Sequence, residues 1–137
     1  MHQVTNIQQA YQAAERGVDI IIAQGSEAGG FGGTITGLVI IPQVVDAVQP
    51  IPVIAAGGIA DGRGLAAAFV LGVQGVNIGT RFLASSEAPI RTEQKQAILS
   101  ANSQDTLKAD VWGDIFPHRD PFYPVTPRVL HSAFIDE

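Results

Sequence analysis

Three short apolar runs, each opening into a turn of very small residues, constrain this chain more than anything else in it. They are "VDIIIAQGSEAGGFGG" (Val18–Gly33), "IPVIAAGGI" (Ile51–Ile59) and "GVNIGTRF" (Gly75–Phe82). The runs are β-branched without polar alternation, the pattern of strands covered on both faces, as in a parallel sheet. Helical patterns lie between them. Thr5 and Gln8 have capping-box spacing ahead of Ile7, Ala10, Tyr11 and Ala14, so residues 6–16 are expected to form a helix stopped by Gly17. "LVIIPQVVDAVQ" predicts a helix over 38–49, with Pro42 in its first turn and Val44, Val45 and Val48 inward. Asp61 is placed to cap "GRGLAAAFVLG", with Leu65, Ala68 and Phe69 on one face and Gly72 as the stop. A polar surface helix is expected over 88–102 and a final helix over 128–137; between them four prolines in eleven residues predict irregular chain. With "HQV" (residues 2–4) as the end of another strand, the order is α/β, with right-handed crossovers between parallel strands.

Composition removes several functions. A net charge of -5 and a pI near 5.0 give no basic stripe for nucleic acid. The absence of cysteine excludes disulfides, thiolate metal sites and a cysteine nucleophile. No apolar run approaches the ~18 residues of a membrane span, and the N-terminus lacks a signal-peptide pattern, so a cytoplasmic location is expected. Hydrophobic content of 46% indicates one core-forming domain over 1–137, with motif-bearing βα units in 1–89 and a helix and tail in 90–137.

The glycines carry the chemistry. Ligands of parallel α/β sheets bind at the carboxyl edge of the strands, and each run here ends there in small residues: Gly25, Gly29 and Gly30; Gly57 and Gly58; Gly79 and Thr80. Two such turns on consecutive strands are the arrangement that holds a phosphate on backbone N–H groups, with Thr80 as a hydroxyl donor and Arg81 as a counter-charge.

The motifs "IIAQGSEAGG" and "PVIAAGGIADGRGLAAAFVLGVQGVNIGTRFLASSEAP", in order from about Val4 to Pro89, resemble the FMN-dependent nitronate monooxygenases. The FMN-type enoyl-acyl-carrier reductases share them. The resemblance implies a TIM barrel of which this chain holds a part, approximately strands 5/6 to 8, with FMN at their carboxyl ends. It places Gln24 and Gly29 on the flavin side of the site and assigns the phosphate to Gly57, Gly58, Asn77, Gly79 and Thr80. The substrate it implies is a small molecule, an alkyl nitronate oxidised with O2. The alternatives are an enoyl-acyl-carrier reductase and a non-catalytic flavin-binding remnant.

Two departures stand out. The family loop reads E-A-G-G-H, and Phe31 occupies the histidine position, so no catalytic residue is assigned. Phenylalanine cannot take a proton from carbon. His2 is expected to fray at the terminus, and His118 and His131 to lie on the surface. The resemblance also leaves the first four strands unaccounted for, which suggests a fragment, or pairing with a complementing chain or a second copy. Elsewhere Glu27 is expected to shape its own loop. Ser26, Ser85 and Ser86 have no histidine at nucleophile spacing, and Asp110, Asp114 and Asp120 are too scattered for a metal loop. Trp112, Phe116, Phe122 and Tyr123 are expected to anchor the tail.

Overall fold

A computed structural model describes residues 1–109 and 126–132. Four parallel strands, β1 (His2–Val4), β2 (Ile21–Gln24), β4 (Val53–Ala56) and β5 (Gly75–Asn77), form one sheet in the order β1-β2-β4-β5. Between them run α1 (Ile7–Glu15), α2 (Gly37–Val48) and α3 (Gly62–Val70). This is an α/β fold on a parallel sheet, as the strand–helix alternation predicts. A second sheet of short antiparallel strands, order β3-β7-β6, joins β3 (Gly30–Gly32) to β6 (Thr106–Lys108) and β7 (Thr126–Leu130). No local pattern in the chain announces this sheet. The final helix expected from residue 128 is β7 instead, because Arg128, Val129 and Leu130 pair with β6; the rest of that segment lies outside the described residues.

The helices form because each has a buried stripe and a stop. In α1, Gln9, Ala10 and Ala13 are buried and Gly17 ends the helix at φ +71°. Its cap is Asn6, not Thr5: Asn6 Oδ1 accepts from Gln9 N at 2.9 Å, while Gln9 Oε1 accepts from Thr5 N at 2.7 Å. The box is therefore built on Gln9, one residue beyond the Gln8 expected. The helix α2 starts at Gly37, so Pro42 falls in its second turn and not, as expected, in its first. The carbonyl left without a helical donor belongs to Leu38, a residue 73% exposed, where water can serve it.

The core lies between α1, α2 and one sheet face. Val4, Ile21, Ala23, Val53 and Ala55 project from the sheet onto Ile40, Val44 and Val48 of α2, and all eight are buried. Val45 is only partly buried. Along α3 only Ala68 turns fully inward; Leu65 (36% exposed) and Phe69 (50%) do not join a buried face as expected, because nothing among the described residues covers that side. The surface helix α5 (Thr92–Ser100) buries no residue, and is shorter than the predicted 88–102. Between β5 and it lies a single turn, α4 (Thr80–Leu83). No helix among the described residues is long and apolar enough to cross a membrane.

Asp61 caps α3 as its position predicts. Its Oδ1 accepts from Arg63 N (2.9 Å) and Gly64 N (3.3 Å), and Oδ2 pairs with Arg63 Nη2 at 2.6 Å. The Arg63 side chain, then the two backbone N–H groups, hold its pKa near about 2. A carboxylate held down in the folded state stabilises above its unfolded pKa and ceases to do so as pH falls through its folded pKa. Asp61→Ala is therefore expected to lower the thermal midpoint at pH 6, with the gap to wild type shrinking as pH drops from 3.8 towards about 2. A second expectation tests the core. Ile40, fully buried, should cost about 2–5 kcal/mol when cut to alanine, read from urea unfolding.

Candidate active site

The site begins with strand register. Gln24 pairs with Ala56, and Ala56 with Asn77, so β2, β4 and β5 end in one row and their turns emerge side by side. The turn after β2 is tied to its neighbour by Gly25 N donating to Ala56 O (2.9 Å), and closed by Ala28 N on Gly25 O (3.1 Å). After β4, Gly57 and Gly58 have φ of +107° and +69°, a region that L side chains rarely enter. They also carry the close approach between turns. A Cβ on Gly57 would sit 3.0 Å from both Ala28 N and Gly25 O, and one on Gly58 would sit 3.0 Å from Glu27 Cβ. A Cβ on Gly29 would collide with Thr80 Oγ1, so the first and third turns also touch.

Five of the seven residues named from sequence, Gln24, Gly29, Gly57, Gly58 and Thr80, are thus gathered at one edge of the sheet. Asn77 is exposed at the end of the row. Gly79 precedes α4, and a Cβ there would meet nothing within 4 Å. The cradle is made almost wholly of main chain. Arg81, the suggested counter-charge, is exposed on α4.

Gln24 and Phe31 form one wall. Gln24 is 7% exposed; its Nε2 donates to Phe31 O at 3.1 Å, and its buried Oε1 has no partner among the described residues. Phe31 lies on β3 opposite Pro127, with 57% of the residue exposed. Two histidines, His2 and His131, lie among the described residues. His2 is not frayed: its N–H donates to Ile20 O at 2.9 Å. It opens β1, however, so it sits two residues, roughly 7 Å, from the carboxyl edge. His131 is exposed beyond β7, its N–H on Asp105 O at 2.9 Å. His118 lies outside the described residues, as do Asp110, Asp114, Asp120, Trp112, Phe116, Phe122 and Tyr123.

Glu27 shapes the loop as expected: both carboxylate oxygens accept from Gly37 N (3.0 and 2.9 Å), at the amino terminus of α2. Ser85 and Ser86 serve a carboxylate. Glu87 is held below the usual range first by its own N–H and then by the hydroxyls of Ser86 and Ser85. No three His, Asp or Glu side chains among the described residues are grouped to hold a metal. A shallow depression lined by Val45, Gln49, Pro50, Ile51 and Gln74 faces the amino-terminal end of the strands, away from these turns, and offers no titratable group.

Two residues escaped the sequence reading. Lys108 Nζ donates to the carbonyls of Gly32, Gly33 and Thr126, and the Arg128 guanidinium donates to Ser26 O. Burial, then the nearby Arg128, lowers the Lys108 pKa, and Glu27 partly opposes this. Neither residue sits in a motif, and only the pairing of β3, β6 and β7 brings them to the loop.

A parallel α/β sheet with three glycine turns converging at its carboxyl edge has the arrangement at which folds of this class hold their ligands. Known proteins narrow it further. The family model for nitronate monooxygenase matches residues 1–113, and the chain belongs to that family. A relative in Bacillus subtilis, named "Probable nitronate monooxygenase", is 46% identical over 111 residues, which cover 74% of this chain and 32% of that protein. Among solved structures, FabK from Thermotoga maritima superposes with a TM-score of 0.85 at 40% identity, covering 98% of this chain and 40% of that one. Nitroalkane oxidase from Streptomyces ansochromogenes gives 0.81 at 30% identity, covering 98% and 39%. The chain spans about a third of the length of the curated relatives it matches, 27% to 33% for the first two.

The turns have one clear test. Gly57→Ala introduces strain at φ +107° and a clash with two backbone atoms. It should cost about 1–3 kcal/mol in urea unfolding, whereas Gly62→Ala, where a Cβ meets nothing within 4 Å, should be neutral or stabilising.

Proposed function

We propose that this chain forms the FMN-holding part of a nitronate monooxygenase-type oxidoreductase, its four-stranded sheet being an arc of a (β/α)8 barrel. One observation carries the reading: Gln24, Ala56 and Asn77 end in a single row, so three glycine turns meet where such a barrel keeps its ligand. The residues present suit the group. A flavin phosphate needs several N–H donors and no intruding side chain, and Gly57, Gly58 and Gly79 offer bare backbone beside the Thr80 hydroxyl. Gln24 and Gly29 would lie towards the ring system, and the unpartnered Gln24 Oε1 is an acceptor to which a ligand donor could be offered. Bound FMN would supply the redox chemistry, taking electrons from the substrate and passing them to O2.

This chain's residues orient and exclude; at the position of the family base they cannot take a proton. Phe31 presents an apolar ring where the family carries histidine, and His2 opens β1 at the end away from the carboxyl edge. The preferred substrates are therefore alkyl nitronates, already ionised. With FMN-loaded protein, oxygen uptake is expected with a nitronate and not with its neutral nitroalkane, and Phe31→His should bring the nitroalkane into turnover. Equal rates with the two forms in the unaltered protein would overturn the reading. A preparation that is colourless and releases no FMN on heating would support the non-catalytic remnant.

A second reading rests on the likeness to FabK. On that reading the same cradle serves an enoyl thioester reductase, and NADH consumption with an enoyl thioester would take the place of oxygen uptake.

A further inference from the structure

Two cations from the far end of the chain grip the glycine loop after β2. Lys108 on β6 and Arg128 on β7 are register partners, and Arg128 is in turn opposite Gly30 on β3. Like charges directly opposite across antiparallel strands repel, so the pair persists only if each cation has acceptors of its own. Those acceptors are main-chain oxygens. Arg128 Nε and Nη2 each donate to Ser26 O at 3.3 Å, and Nη1 donates to Thr106 Oγ1 at 3.2 Å. Lys108 Nζ donates to Gly32 O and Thr126 O at 3.3 Å and, more closely, to Gly33 O.

An ammonium has three donors, and three carbonyls take them. Lys108 is thus not a counter-charge waiting for an anion. Its charge is spent inside the protein, on the loop.

The loop needs the help. Its five glycines between Gly25 and Gly33 give it more conformational freedom to lose than any other stretch of equal length. Its first half is held from its own neighbourhood, by Ser26 N on Ile35 O (2.8 Å) and Glu27 on Gly37 N. The second half has Gln24 Nε2 on Phe31 O and the pairing of β3 with β7. Arg128 and Lys108 fasten the loop at its two ends, Ser26 and Gly32–Gly33, with Gly29 and Phe31 between them.

We propose that Arg128 and Lys108 are positioning residues of the site, a latch that fixes the glycine loop with Gly29 against Thr80 and the Phe31 ring exposed. The small antiparallel sheet then belongs to the site although no motif lies in it. The flavin arm of this inference rests on the function proposed above; the loop arm does not.

Amide hydrogen exchange on the full chain, without flavin, tests the latch with Lys108→Met, Arg128→Met and Arg128→Lys. In both methionine variants, amides between residues 26 and 34 should exchange about tenfold faster while those of β2 and β4 keep their protection. Arg128→Lys, which keeps the charge but not the fork, should recover part of it. FMN affinity, read by quenching of flavin fluorescence, should fall in the same order at unchanged unfolding midpoint. Unchanged loop exchange in both methionine variants would overturn the proposal. So would protection lost equally from β2 and β4, which would mark general support of the fold. If wild type binds no FMN, the function reading fails and the exchange result still judges the latch.

Discussion

The sheet face turned towards the helices is the surface on which the rest of the molecule is assembled. Val4, Ile21, Ala23, Val53 and Ala55 are almost wholly buried beneath α1 and α2, and side chains alternate across a strand. A slip of one residue between β2 and β4 would turn Ile22 and Gln24 into that core and Ile21 and Ala23 out of it. Burial of small and branched apolar side chains therefore fixes the register. Register in turn sets where each strand ends and which turns become neighbours. An edge made of backbone has few side chains of its own to align it, so the hydrophobic face aligns it from below.

Glycine here is demanded by contacts between loops. Gly57 and Gly58 have the loop after β2 lying on them, and Gly29 has Thr80. Removing side chains lets three turns share a small area. Glu27 works from within this arrangement, since its carboxylate satisfies Gly37 N at the head of α2 and its Cβ rests beside Gly58. The only acidic residue of the loop is consumed in holding it.

The parallel sheet and its turns could be read in the chain because their signals are local. An apolar run followed by glycines marks a strand and its exit within about ten residues, and β2, β4 and β5 all follow that rule. Caps were nearly right for the same reason, with Asn6 one position from Thr5, and Pro42 misleading because an exposed carbonyl tolerated it. The small sheet could not be read. β3 is three residues, two of them glycine, and its partner lies almost a hundred positions away at Thr126–Leu130. No periodicity connects them, and Lys108 and Arg128 look like any solvated cations until the strands pair. The exposure of Leu65 and Phe69 was equally hidden, since a helix's apolar stripe does not say whether anything covers it.

The sequence distance spanned by those contacts has a kinetic side. Arg128 meets Ser26 across 102 residues, and Lys108 meets Gly33 across 75. The α/β core, by contrast, is built from neighbours in sequence, each helix lying between the strands it covers. Contacts of long separation wait on the entropy of closing a large loop. On a ribosome, β1 to β4 are in hand well before Arg128 emerges, and until then the glycine loop has no grip on its far side. The glycine loop, first of the three turns in sequence, is therefore the one whose fastening contacts close after the sheet beneath it is already in place.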